Sequence, residues 1–365
     1  MACSRGLWIE LTHCPNAPAL IEHAQAYLEL AIPNADQIPM TIAMIGHRSK
    51  SKILHQIFHK NTIEHTRTGT IRLICDPLTR KQPFPLVVAD CELHNASHES
   101  SLLRCGEAVH RTLVWADTEI DPLALQTVVW RLYARLLAPM AHVVCLFAAD
   151  MRGLRGVGKQ LATWAALPRA SDLPCAALPK LIVVVETTSN TYDTKMAEQR
   201  LLTYITRQSC PVQTSDTGQR LGLDLARHFQ ELRVIALRKN STDEPPQFNG
   251  FTHFRRQLLR EASQVQQQRH RHQYAFKSAH YKAFFSLLCQ HFSTSSTGSP
   301  FKFARASRTH NALPAQMSLH FRELLNLQSS EKSVNLTAVP LLSSAMVLDS
   351  SPPGTHRELS YFEFY

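Results

Sequence analysis

The stretch Pro39-Met-Thr-Ile-Ala-Met-Ile-Gly46-His-Arg-Ser-Lys-Ser-Lys52-Ile53 decides how the rest of the chain is read. Its first half is a short apolar run closed by a glycine, the pattern of a strand buried on both faces of a parallel sheet. Its second half sets lysines and serines directly behind that strand. A loop that cradles phosphate needs inward-turned backbone amides, a lysine for the outer phosphates and a Ser or Thr hydroxyl for magnesium. Aligned on Gly-x4-Gly-Lys-Ser/Thr, Gly46 and Lys52 match. Ser51 stands where the second glycine belongs, and Ile53 replaces the hydroxyl residue. Half of such a loop is present.

Working outward, residues 70–75, 85–90, 141–147, 180–186 and 232–237 read as five further strands. Helices are expected between them, over about 50–60, 123–137, 154–167, 194–207 and 221–230. Strands alternating with helices predict an α/β fold built on a doubly wound, mostly parallel sheet. In such a sheet ligands bind at the carboxyl ends of the strands. Asp90 ends the strand 85–90, where a magnesium-holding carboxylate would stand. The order strand, loop, helix, strand, strand, Asp is that of the Ras-like GTPase fold, a P-loop architecture. Thr66, Thr68 and Thr70 lie where a switch threonine would precede the second strand.

The functional letters depart from that plan. Asp90-Cys-Glu-Leu93 lacks the glycine that senses a terminal phosphate. Glu186-Thr-Thr-Ser-Asn190 stands where a guanine-reading Asn-Lys-x-Asp would follow its strand. The reading is therefore a degenerate nucleotide site, with Gly46, Ser51, Lys52 and Asp90 as its phosphate-side candidates and Asp90 as the candidate metal ligand. Magnesium and GTP or ATP are cofactors only if this loop still binds, and otherwise none is expected. A second stretch, Gly153-Leu-Arg-Gly156-Val-Gly158-Lys159-Gln160, fits Gly-x4-Gly-Lys better as text, but it follows an interior strand. It reads as a glycine-rich helix start. No Gly-x-Ser-x-Gly elbow and no His-Glu-x-x-His occurs, so a serine hydrolase or a zinc peptidase has no seat here.

The chain has 365 residues and a formal charge of +10, and most of that charge is local. Between 251 and 310 ten Lys and Arg face a single acid, Glu261, against a nearly neutral remainder. Arginines interleaved with Phe251, Phe254, Phe284 and Phe285 suggest docking on an anionic membrane surface or on a protein partner through 251–310. Nucleic acid is the weaker alternative. Arg269-His-Arg-His272 reads as a solvated helix face. Nine cysteines without Cys-x-x-Cys spacing fit buried thiols in a reducing compartment. No apolar run reaches membrane-spanning length. The expectation is a cytoplasmic protein, peripheral at membranes if the basic segment docks there.

Several segments resemble the region upstream of the lipase domain in large fungal patatin-like phospholipases, the FabD/lysophospholipase-like proteins. They are Leu7-Trp-Ile-Glu-Leu-Thr-His-Cys14, Ile42-Ala-Met-Ile-Gly46, Leu86-Val-Val-Ala-Asp90-Cys-Glu-Leu93, Pro300-Phe-Lys-Phe-Ala-Arg-Ala-Ser-Arg308 and Ser351-Pro-Pro-Gly-Thr-His356. That resemblance implies a GTPase-like module ahead of an acyl hydrolase. The hydrolase's signatures are not in this sequence, so no catalytic residue carries over. The expected organisation is a helical lead-in over 1–38, a degenerate GTPase-like domain over 39–240, a basic helical region over 251–330 and an irregular tail over 331–365. The expected function is interaction or regulation without catalysis. The alternatives are weak nucleoside triphosphate binding or hydrolysis, and a truncated piece of a lipid acyl hydrolase.

Overall fold

A computed structural model describes residues 6–14, 17–23, 36–58, 69–93, 108–115, 122–189, 191–209, 225–238, 250–295 and 298–303, with isolated positions besides. Nine strands form one sheet: β1 (Leu7–Cys14), β2 (Ala17–His23), β3 (Met40–Gly46), β4 (Ile71–Cys75), β5 (Leu86–Glu92), β6 (Ala108–Thr112), β7 (Val143–Phe147), β8 (Lys180–Thr187) and β9 (Leu232–Arg238). Their order across the sheet is β6-β2-β1-β4-β5-β3-β7-β8-β9. From β5 to β9 every neighbouring pair is parallel, whereas β4 and the β1, β2, β6 extension are antiparallel. The protein is a mixed α/β fold, and the expected parallel sheet is the part that runs from β5 to the edge strand β9.

Two cores lie on the two faces of that sheet, sorted by the two-residue period of each strand. On β3, Ile42 and Met44 face one core while Ala43 and Ile45 face the other. Val143, Cys145 and Phe147 of β7 alternate in the same way with Val144 and Leu146. All seven residues of β3 are buried, because β5 and β7 flank it and helices cover both faces. The first face is covered by α1 (Arg48–Phe58), through Ile53, Leu54, Ile57 and Phe58, and by α5 (Gly250–Arg271). The second is covered by α2 (Pro122–Leu132), with its π-helical extension Tyr133–Leu137, by α3 (Leu154–Ala165), α4 (Thr194–Ser209) and α6 (Ser278–Thr294).

Two expectations fail here. The segment read as a helical lead-in contains β1 and β2, paired from Ile9↔Glu22 to Cys14↔Ala17. β2 is paired on its other edge as well, with β6. Ala19-Leu-Ile-Glu-His scores well as helix, but ladder bonds on both edges and burial of Leu20 and Ile21 outweigh a propensity worth only tenths of a kcal/mol per residue. The basic helical region expected over 251–330 is likewise not separate from the α/β body. Phe254, Leu258 and Ala262 of α5 lie in the same core as β3 and β7, each large side chain contributing about 2 kcal/mol by burial.

The basic segment also spends much of its charge internally. Arg255 pairs with buried Asp76 at 2.5 Å, and Lys277 with Asp36 at 2.9 Å. Glu261, buried on α5, accepts Lys180 at 2.6 Å and Arg233 at 3.0 Å. Arg269 is not solvated: its guanidinium is buried and donates to the carbonyls of Pro139, Met140, Ala141 and Ala177. Burial brings its pKa down to about 10. Phe254, Phe284 and Phe285 are buried. Three of the four aromatics expected to enter a membrane surface are therefore core, and Phe251 is half-buried against it. Trp8 packs edge-on against Phe285 with ring centroids 4.2 Å apart, which ties α6 to the antiparallel extension. Among the described residues no helix is long and apolar enough to cross a membrane.

Candidate functional site

The carboxyl ends of β5, β3, β7 and β8 meet around the start of α1. β3 ends at Gly46 and α1 begins at Arg48, so one residue, His47, separates strand from helix. The expected phosphate loop is thus mostly helix. Ser51 turns its hydroxyl back onto the His47 carbonyl at 2.7 Å. Lys52 is exposed on the surface of α1. Ser51 is thus engaged within the first turn of α1 and Lys52 stands on its outer face. Gly46 and Asp90 lie on the paired neighbours β3 and β5, where the register sets Glu92 opposite Gly46 and Asp90 opposite Met44.

A carboxylate of the chain stands where the amides of α1 point. Asp150, in the 3-10 turn after β7, accepts the His47 N–H at 2.7 Å and the Lys50 N–H at 3.0 Å on one oxygen, and the Ser49 N–H at 2.8 Å on the other. The first amides of a helix have no partner within the helix and carry its positive dipole end, so an anion there is stabilising. Gly46 is small for the sake of this contact. A Cβ on it would lie 2.6 Å from Asp150 Oδ2 and 2.8 Å from Lys50 Cβ. The Ser49 hydroxyl donates to Glu186 at the end of β8.

The cation beside Asp90 is Lys50. Its ammonium lies 2.6 Å from Asp90 Oδ1 and 3.3 Å from Glu92 Oε2, and donates to the Cys91 carbonyl at 2.9 Å. Three acceptors match the three protons of an ammonium, and the side chain is only 1% exposed. Burial disfavours its charge, but Asp90 and Glu92 outweigh burial and hold its pKa above the ordinary lysine value. Glu92 also meets His47 Nδ1 at 2.7 Å. Burial pushes the Cys91 thiol well above its usual range, so no thiolate nucleophile is available there.

These groups do not fit a magnesium nucleotide. Magnesium requires oxygen ligands at about 2.1 Å in near-octahedral array, and an ammonium already occupies the near side of Asp90. Asp90 and Glu92 flank the buried Lys50 ammonium, Asp150 holds the first amides of α1 and Glu186 the Ser49 hydroxyl, a set of anions that repels polyphosphate. Among the described residues no group of three or more His, Cys, Asp or Glu could hold a metal. What the arrangement does is lock strand ends to helix: β5 through Lys50, β7 through Asp150 and β8 through Ser49.

The glycine-rich stretch after β7 is structural as well. Gly153 caps α3 at a φ of 84°, a conformation that favours glycine. Gly158 lets α3 approach α4, since a Cβ there would come within 2.6 Å of Tyr204 Cβ. Lys159 is exposed. Thr70 is buried and its carbonyl accepts the Glu92 N–H at 3.1 Å. Thr66 and Thr68 lie outside the described residues, as does most of the sequence beyond 303.

Sequence reasoning missed Lys50, Asp150 and Glu92. A signal existed: an acid follows each of the three strands nearest β3, at Asp90, Asp150 and Glu186. The phosphate-loop motif calls for one such acid and so points to Asp90 alone. No protein-family model matches the chain, and no curated protein is detectably similar to it in sequence.

Proposed function

We propose that this chain is a degenerate, non-catalytic GTPase-like module that works through interaction or regulation, related to the region upstream of the lipase domain in fungal patatin-like phospholipases. The observation that carries this reading is the Asp150 carboxylate, which accepts three amides at the start of α1 where a bound phosphate would be gripped. The run β4-β5-β3-β7-β8-β9, with β4 antiparallel and the rest parallel, has the order expected of a Ras-like sheet and supports the same reading. The module's sites of nucleotide contact have become internal bonds, so its surface rather than a bound nucleotide carries its role. A partner protein is favoured over an anionic membrane because three of the four phenylalanines that would enter lipid lie in the core.

Isothermal titration of the full chain with GTP and with ATP, each with magnesium, tests it. No saturable heat is expected up to millimolar nucleotide. Saturable binding that Lys52→Ala abolishes overturns the proposal and assigns the exposed lysine to phosphate.

A further inference from the structure

Away from the strand ends, a cleft opens between the end of α2, the turn after α3 and the carboxyl end of α6. It has a volume of about 170 Å³ and is lined chiefly by Trp115, Arg131, Arg135, Leu167, Pro168 and Phe292. We propose that this cleft is a binding site for a small organic anion, a phosphate or carboxylate carried on a flat apolar body about the size of a benzene ring.

Charge is the first reason. Arg131 and Arg135 lie four residues apart across α2 and its π-helical turn, so they share one face. Among the described residues neither forms an ion pair with a carboxylate. Arg131 makes a cation–π contact, 5.2 Å from the Trp115 ring centre. Arg135 spends one nitrogen on the Ser299 carbonyl at 2.6 Å, while its buried Nε has no partner. Two guanidinium groups held side by side repel each other, and an anion between them removes that repulsion while supplying acceptors for the unused donors. The depressed pKa of Arg135, caused by burial and then by the charge of Arg131, agrees with this. Arg135 also lies in a π-helical turn, a local distortion that recurs at functional positions.

Shape is the second reason. The Trp115 indole N–H donates to the Phe292 carbonyl at 2.6 Å, and the two rings meet edge-on with centroids 5.2 Å apart. This fixes the aromatic wall before any ligand arrives. Gly298 holds a φ of +70°, and a Cβ there would lie 2.5 Å from Pro168, so the opposite wall is set by close backbone approach. An apolar cavity of about 150 Å³ accommodates benzene, which sets the size of the apolar body. The ligand's charged end goes to the guanidinium groups and its ring to Trp115, Leu167 and Phe292.

The test follows the indole N–H resonance of Trp115, assigned by its loss in Trp115→Phe, in ¹⁵N-labelled full-length protein. Phenyl phosphate and benzoate are titrated beside phenol and inorganic phosphate. Phenyl phosphate or benzoate is expected to shift that resonance saturably with a dissociation constant of about 1 mM, and the better of the two assigns the anionic group. Arg131→Gln is expected to weaken binding at least tenfold, on the order of losing one charge-assisted contact. The Trp8, Trp130 and Trp164 indole signals should stay in place, which shows that the variant is folded. No saturable shift by either aromatic anion up to about 10 mM, or equal affinity in Arg131→Gln, overturns the site. Phenol binding as tightly as phenyl phosphate overturns the anion's role, and inorganic phosphate doing so overturns the ring's.

Discussion

Replacing Asp150 by alanine should cost the fold more than replacing any nearby exposed charge, and the structure sets the size. The carboxylate accepts three amide protons at 2.7, 2.8 and 3.0 Å. Losing an N-terminal cap costs about 1 kcal/mol, and losing an anion at the dipole's positive end costs about 1 kcal/mol more in a partly buried setting. Water can reach the half-buried position of Asp150, so not every amide is orphaned. A third contribution of about 1 kcal/mol covers the amide that Gly46 and Lys50 shield. The expected total is about 3 kcal/mol. With an unfolding entropy of about 2.1 cal/mol/K per residue over roughly 225 described residues, that lowers Tm by about 6 °C. Asp150→Asn keeps one acceptor oxygen and should lose about half as much. Urea denaturation followed by circular dichroism measures the difference, with Lys52→Ala as the control. Lys52 is exposed on α1, so its removal should change stability by less than about 0.5 kcal/mol. If Asp150→Ala were neutral, or if Lys52→Ala were the more damaging change, the internal-anion account of this site would be wrong.

Two further outcomes follow from buried groups. Lys50→Met keeps the aliphatic volume but leaves Asp90 and Glu92 without their cation, at a cost of about 3–5 kcal/mol. Adding Asp90→Asn to it should restore at least about 1 kcal/mol, and strict additivity in a double-mutant cycle by urea denaturation would contradict the pairing. Because the folded Lys50 pKa is raised, its contribution is complete below about pH 10.4 and is lost only as pH rises through the folded value. His142 behaves in the opposite sense. Its Nδ1 accepts the Thr41 N–H at 2.9 Å and its Nε2 meets Gln266, while burial, and then Arg269, hold its pKa well below the usual 6.5. The unfolded chain takes up that proton below about pH 6.5 and the folded chain does not. Stability should therefore fall on acidification by up to about 1.4 kcal/mol per pH unit. His142→Gln should flatten the curve of stability against pH between about 5 and 7; an unchanged slope would assign the loss to other groups.

Much of the sheet was legible because its strands are buried on both faces. The runs at 42–45, 86–89, 143–147 and 181–185 are apolar throughout, as strands covered on both faces must be. β2 was not legible, since Ala19-Leu-Ile-Glu-His-Ala carries helix-forming residues and its strand state comes from pairing with β1 and β6. The basic segment misled in a related way. Phenylalanines at helical spacing look the same whether they face lipid or a sheet, and only the position of α5 and α6 distinguishes the two.

Gly46 and Asp90 could be found in the sequence because each sits at the end of a recognisable strand. The motif points to Lys52 rather than Lys50 because it counts residues along a loop, whereas α1 starts two residues after Gly46. Helical geometry then turns Lys50 inward and Lys52 outward, since positions two apart on a helix face different sides. The sequence by itself determined an α/β chain with acids at the ends of its central strands. Which cation those acids hold, and which amides they satisfy, was decided by tertiary structure alone. Charges distant in sequence meet only when parallel strands bring their carboxyl ends to one edge, and there the free energy of burying them requires that each find a partner.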